Sequence, residues 1–78
     1  MRYARHIAGI EAFGKRLREI RKREGFTQEK LAYTADLELS QISRIERGII
    51  NTSISQVFMI AEALGVPVKE LFDFDIKE

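Results

Sequence analysis

The chain has 78 residues, no cysteine and a single histidine, His6. That length suits one domain, and the residue set excludes disulfides, thiolate metal sites and a metal site built on histidines. Residues 1–50 hold 11 Lys/Arg against 7 Asp/Glu and residues 51–78 hold 2 against 5, so the net charge of +1 hides a basic end and an acidic end.

Only the basic part of such a surface suits phosphate. No run approaches the roughly 18 apolar residues of a membrane span. Residues 1–13 lack the continuous apolar stretch of a signal peptide. The absence of cysteine fits a cytoplasmic protein, in a prokaryotic cytosol or nucleoid. Ordering the chain costs roughly 1–2 kcal/mol per residue. With no staple, stability must come from well-packed helices, a partner subunit, or both.

Residues 1–9 show no clean period and read as an N-terminal arm. Ile10, Phe13, Leu17 and Ile20 then recur at three- and four-residue steps and predict a helix over residues 10–24. Gly25 ends it. Thr27 is a good N-cap for a second helix, which carries Leu31, Ala32 and Ala35 inward. The turn Asp36-Leu37-Glu38 leads to a third helix over residues 39–47, with Ile42 and Ile45 inward and Gly48 as its stop. Ser53 and Gln56 have the spacing of a capping box and open a fourth helix over residues 54–64. Ile54, Val57, Ile60, Ala61 and Leu64 form its inward face. Pro67 suits the entry to a short fifth helix over residues 68–72, and residues 74–78 form an acidic tail. The expectation is an all-α, compact bundle of five short helices, its domain spanning residues 10–73.

A three-residue turn between the second and third helices imposes the steep crossing of a helix-turn-helix. Projection of the third helix at about 100° per residue places Ser40, Arg44 and Arg47 opposite its buried side. Gln41 and Ser43 flank that face, and Glu46 falls close to the buried side. Arginine can grip guanine O6 and N7 in a fork, and glutamine can bind adenine N6 and N7. Arg44 is the first candidate for base readout. Gln41 and Ser40 follow, because they lie near the helix end that enters a major groove. No Gly-rich phosphate loop or nucleophile elbow is present, so neither an enzyme nor a cofactor is expected. A domain this short also has little room for a ligand pocket of roughly 300 Å³ or more.

The segments FGKRLREIR, GFTQEKLA, ISRIERG, IAEALGV and ELF follow one another between Phe13 and Phe72. In that order and spacing the chain resembles the lambda repressor/Cro-type (XRE-like) helix-turn-helix family. The resemblance implies DNA contacts from Thr27 and Gln28, with Gln28 touching a phosphate and buttressing the third helix. It implies base contacts from Leu39, Ser40, Gln41 and Arg44, flanked by Ser43 and Arg47, and phosphate contacts from Asn51 and Thr52. It also implies a structural ion pair between Arg21 and Glu46. The chain departs from the family pattern in five places, one of them Leu39, which replaces a commonly polar base-reading residue. Asp36 stands where glycine is usual and Glu38 where a better cap is usual. Ile49-Ile50 replaces a basic loop, and Thr52 replaces proline.

Phe58 and Met59 are hydrophobes beyond what the inward face of the fourth helix needs. With Ile50, Phe72, Phe74 and Ile76 they predict an apolar patch, and such patches mark interfaces. The leading expectation is a homodimeric transcriptional regulator, repressor-like, bound to double-stranded DNA at a near-palindromic operator. The alternative is a protein-interaction module, with a second protein partner, in a toxin–antitoxin or restriction–modification control system.

Overall fold

The computed structural model describes residues 5–76. Four α-helices occur in chain order: α1 (Ile7–Arg23), α2 (Gln28–Ala35), α3 (Leu39–Glu46) and α4 (Ile54–Leu64). The expected fifth helix is instead a 3-10 segment, Val68–Phe72. Its bonds run three residues back, from Glu70 N–H to the Pro67 carbonyl at 3.0 Å and from Asp73 N–H to the Glu70 carbonyl at 3.3 Å, and this tighter turn, common in short connectors, suffices to bury Leu71 completely.

α1 packs on α3 and on the 3-10 segment, α2 on α3 and α4, and α4 on the 3-10 segment. Every element contributes a fully buried aliphatic side chain to one core: Leu17 and Ile20, Leu31, Ile42 and Ile45, Ile60, and Leu71. Each is worth about 1.5–3 kcal/mol relative to exposure. Among the described residues no helix is long and apolar enough to cross a membrane.

α1 begins at Ile7, three residues before the start that the apolar stripe predicts. Its first turn is set by polar capping, because Nδ1 of His6 accepts the Gly9 N–H at 2.9 Å. Ile7 stays largely exposed, so the stripe gives no warning of that turn. The arm read over residues 1–9 is therefore helical from residue 7, and its residues 1–4 lie outside the described residues. So do residues 77–78 of the expected tail, whereas Phe74 packs partly buried against the core.

All four helices end in one motif. The left-handed residue that closes the helix donates three back, and the next residue donates five back, as in Asp36 N–H to Tyr33 and Leu37 N–H to Ala32 at 3.2 and 2.9 Å. Glycines 25, 48 and 65 take this left-handed position in three helices, and Asp36, at φ 60°, takes it in the fourth. The three-residue turn between α2 and α3 thus survives without glycine, at the cost of placing a Cβ in the left-handed region.

The start of α4 is half of the expected capping box. Ser53 Oγ accepts the Gln56 N–H at 3.1 Å. The Gln56 side chain, however, does not return to the Ser53 backbone. Its Oε1 accepts from the Thr52 hydroxyl at 2.6 Å, because threonine one residue earlier offers a better donor. Ile54 also departs from its expected inward position and is 75% exposed.

Candidate nucleic-acid interface

α3 is held by a buried ionic network that joins three helices. Arg21 lies in the last turn of α1 and Glu46 ends α3; both are buried. Nε and Nη2 of Arg21 donate to Oε2 and Oε1 of Glu46 at 2.5 and 3.0 Å. Arg21 Nη1 donates to the Phe26 carbonyl at 2.9 Å, which fixes the turn into α2. Gln28, the first residue of α2, donates from Nε2 to Glu46 Oε1 at 2.9 Å. A planar guanidinium matches the carboxylate with two parallel bonds. Neither charge could be buried alone without a heavy desolvation cost.

Backbone contact sets the distance between α1 and α3. A Cβ at Gly14 would lie 2.3 Å from the Ile45 carbonyl oxygen and 2.8 Å from that of Glu46. Only glycine lets α1 approach α3 this closely, and this approach brings Arg21 within reach of Glu46.

With Ile42 and Ile45 buried, the opposite side of α3 carries Ser40, Arg44 and Arg47 in solvent. Gln41 and Ser43 are half-buried on its flanks. Leu39, at the first position, is 44% exposed, so it presents a methyl-rich surface beside the polar one. Arg47 leans back, with Nε on the Ser43 carbonyl at 3.4 Å. Thr27 caps α2, its Oγ1 accepting the Lys30 N–H at 3.0 Å. In the loop after α3, Asn51 is exposed and Thr52 is half-buried, its hydroxyl proton engaged by Gln56.

A second feature is an open groove of about 690 Å³, wider than the length of the chain suggests. Phe13, Ile50, Ile54, Phe72, Phe74 and Ile76 give it apolar walls, and Arg5, His6, Asn51 and Thr52 add polar ones. Phe13, Phe72 and Phe74 form a chain of tilted rings with centroids 5.2 and 6.4 Å apart. Of the six hydrophobes singled out from the sequence, Ile50, Phe72, Phe74 and Ile76 line this groove. Phe58 and Met59 do not. Phe58 is nonetheless exposed one turn beyond Ile54 on the same side of α4, and Met59 is half-buried.

Sequence reasoning missed three residues that matter here. Gly14 had a legible signal, an isolated glycine inside a helical pattern. Arg5 and His6 had none, since they fell in a segment without periodicity. The ring of charge at the other end of α1 is structural. Arg16 Nε donates to the Glu70 carbonyl at 2.9 Å. Arg23 Nη2 donates to the Glu70 carboxylate at 2.8 Å, a bond that, with Glu24, raises the Arg23 pKa further above its ordinary value.

The model of a family described as helix-turn-helix matches residues 17–71. The chain is 46% identical over 63 residues to the control protein C.BamHI of Bacillus amyloliquefaciens, a match that covers 80% of this chain and 78% of that protein. It is similar to the crystal structure of the restriction-modification controller protein C.AhdI from Aeromonas hydrophila, with a TM-score of 0.81, 40% identity, and coverage of 83% of this chain and 98% of that one. The structure of C.Esp1396I bound to a 19 base pair DNA duplex gives a TM-score of 0.76 at 33% identity, over 82% of this chain and 85% of that one.

Proposed function

The chain belongs to the helix-turn-helix family, and from that premise we propose that it is a transcriptional regulator that binds a near-palindromic operator as a homodimer, with α3 in the major groove. The observation that carries this reading is the outer face of α3. It is small, polar and cationic, and it is held rigidly by the network of Arg21, Glu46 and Gln28. Ser40, Gln41 and Arg44 read base edges, Arg44 by a guanine fork. Leu39 meets a thymine methyl. Thr27 and Gln28 meet a phosphate at the start of α2, where free N–H groups favour an anion. Ser43, Arg47, Asn51 and Thr52 flank these contacts.

One protomer presents a single short reading face, so a two-fold pair supplies the rest of the affinity and places two α3 helices about 34 Å apart. The groove bounded by Ile50, Ile54, Phe72, Phe74 and Ile76 is the self-association surface, with Phe58 extending it along α4. Its exposed aromatic and aliphatic side chains support that use.

Selection of bound sequences from random duplexes tests the proposal. A symmetric motif is expected, with half-sites one turn apart. Arg44→Ala relaxes one position in each half-site, at roughly 1–3 kcal/mol per contact. Gln28→Ala weakens all sequences alike. A selection that returns no motif, or variants that bind the selected site like the parent chain, would overturn it.

Similarity to a control protein and to two controller-protein structures favours a narrower second reading, the control of a restriction–modification system. Under it, the selected operator occurs beside genes of such a system in the host genome. An operator found only elsewhere would remove this reading and leave the first standing.

A further inference from the structure

From Gly48 to Ser53 the chain carries no lysine or arginine, yet a cation is fixed against this loop from elsewhere. Arg5, just ahead of α1, donates from Nη2 to the Ile49 carbonyl at 3.3 Å. Ile49 is itself locked to α3, because its N–H donates to the Arg44 carbonyl at 3.1 Å. The backbone of α1 runs close by, since a Cβ at Gly48 would come within 3.0 Å of the Cα of Glu11. The Arg5 guanidinium is therefore linked, through Ile49, to the last turn of α3, which carries the exposed Arg44.

Arg5 is exposed, and among the described residues no carboxylate pairs with it. A guanidinium has five N–H donors, and one is used on Ile49. The bond ties the guanidinium end of the side chain to the loop. An arginine held on a backbone carbonyl, beside a cation-free loop that leads out of α3, has the chemistry of a phosphate clamp.

We infer that Arg5 is a DNA-backbone contact, which brings to the loop after α3 the positive charge its own residues lack. The inference rests on the DNA-binding reading above and extends it to a residue outside the helix-turn-helix. Arg5 fixes the protomer on the duplex and carries no base preference. The Arg5 side chain also lies at the groove assigned above to self-association, so engagement of Arg5 by the second copy, instead of by DNA, is the competing outcome.

The test compares the full chain with Arg5→Ala and Arg5→Lys on the selected operator and on a random duplex, from 50 to 200 mM salt, with thermal melts and sedimentation alongside. Each phosphate contact adds about 0.9 to the slope of log affinity against log salt. Loss of one contact per protomer lowers the slope of a dimer by about 1.8, so Arg5→Ala becomes about twelvefold less salt-sensitive over that range. The selected motif and the dimer stay the same, and Arg5→Lys keeps most of the slope. An unchanged slope in Arg5→Ala overturns the inference while leaving DNA binding intact. Weakened self-association with the slope unchanged also overturns it, and assigns Arg5 to the protomer interface. If the parent chain binds no duplex at all, the DNA-binding reading fails and this inference with it.

Discussion

Replacing Gly14 by alanine adds one methyl group where α1 meets α3. The new Cβ would sit 2.3 Å from the Ile45 carbonyl oxygen, about 1 Å inside an ordinary carbon–oxygen contact. The obstacle is backbone, so no rotamer change relieves it. The helices must separate by about that distance, which loosens Phe13 and Leu17 against Ile42 and Ile45 and stretches the Arg21–Glu46 pair. Overpacking of this kind costs about 1–3 kcal/mol or more, and a backbone clash belongs at the upper end. Alanine recovers about 1 kcal/mol through its higher helix propensity. The expected net loss is about 2 kcal/mol or more, from a total of about 4–12 kcal/mol for a chain of this length. Urea denaturation at fixed protein concentration reads it directly. With a slope near 1 kcal/mol/M the midpoint falls by about 2 M. Gly9→Ala is the internal control, because its Cβ meets only the movable side chain of His6 and risks no more than one cap, about 1 kcal/mol. A Gly14→Ala midpoint at or above that of the parent chain would refute the close helix approach.

Arg21→Ala and Glu46→Ala each strand one buried charge and should cost about 3–5 kcal/mol. A double-mutant cycle in the same urea assay should show the pair losing far less than the sum, and additive losses would mean that the two side chains act separately. Asp36→Gly should raise stability by about 1 kcal/mol by removing a Cβ from the left-handed region, seen as a melting temperature higher by about 4–8 °C; a lower one would show that the aspartate side chain has a stabilising role of its own. Ile54→Asp and Phe72→Asp alter exposed positions, so the fold should persist while sedimentation shows a 9 kDa species, and a dimer retained in both would move the interface elsewhere. Ser53→Ala should cost about 1 kcal/mol through the α4 cap, and thermal melts at fixed concentration would check it.

The elements most legible in the sequence are those whose signals are local and repeated. The three- and four-residue spacing of Phe13, Leu17 and Ile20, and the caps Thr27 and Ser53, place α1, α2 and α4 closely. The outward and inward sides of α3 follow from Ile42 and Ile45 alone. Legibility fails where a partner distant in the chain decides the outcome. The first turn of α1 depends on a histidine cap and has an exposed Ile7, so no apolar period announces it. Ile54 fits the inward stripe by spacing, yet at the first position of α4 it is exposed and lines the open groove instead of the core. Thr52 diverts Gln56 from the capping box because a hydroxyl happens to lie nearby. Arg5 meets Ile49 across 44 residues, a relation that no periodicity encodes.

α3 shows how far this dependence on distant partners extends. It has eight residues, and Glu38 gives it no side-chain cap. An isolated helix of that length is unstable in water. Its last residue, Glu46, places a negative charge at the negative end of the helix dipole, an unfavourable location. Neither end therefore favours the helix through local interactions. Stability comes from Ile42 and Ile45 in the core and from Arg21, whose two bonds outweigh the dipole and whose third bond orders the turn into α2. Gln28 adds a donor from the helix that precedes α3. Because α3 draws its position from α1 and α2, its orientation is set by the same contacts that build the core. The residues on its outer face are then free to vary without loss of fold, as Leu39 in place of a polar residue illustrates. On the proposed DNA-binding reading, sequence specificity changes at Leu39, Ser40, Gln41 and Arg44, while Gly14, Arg21 and Glu46 keep that face in place.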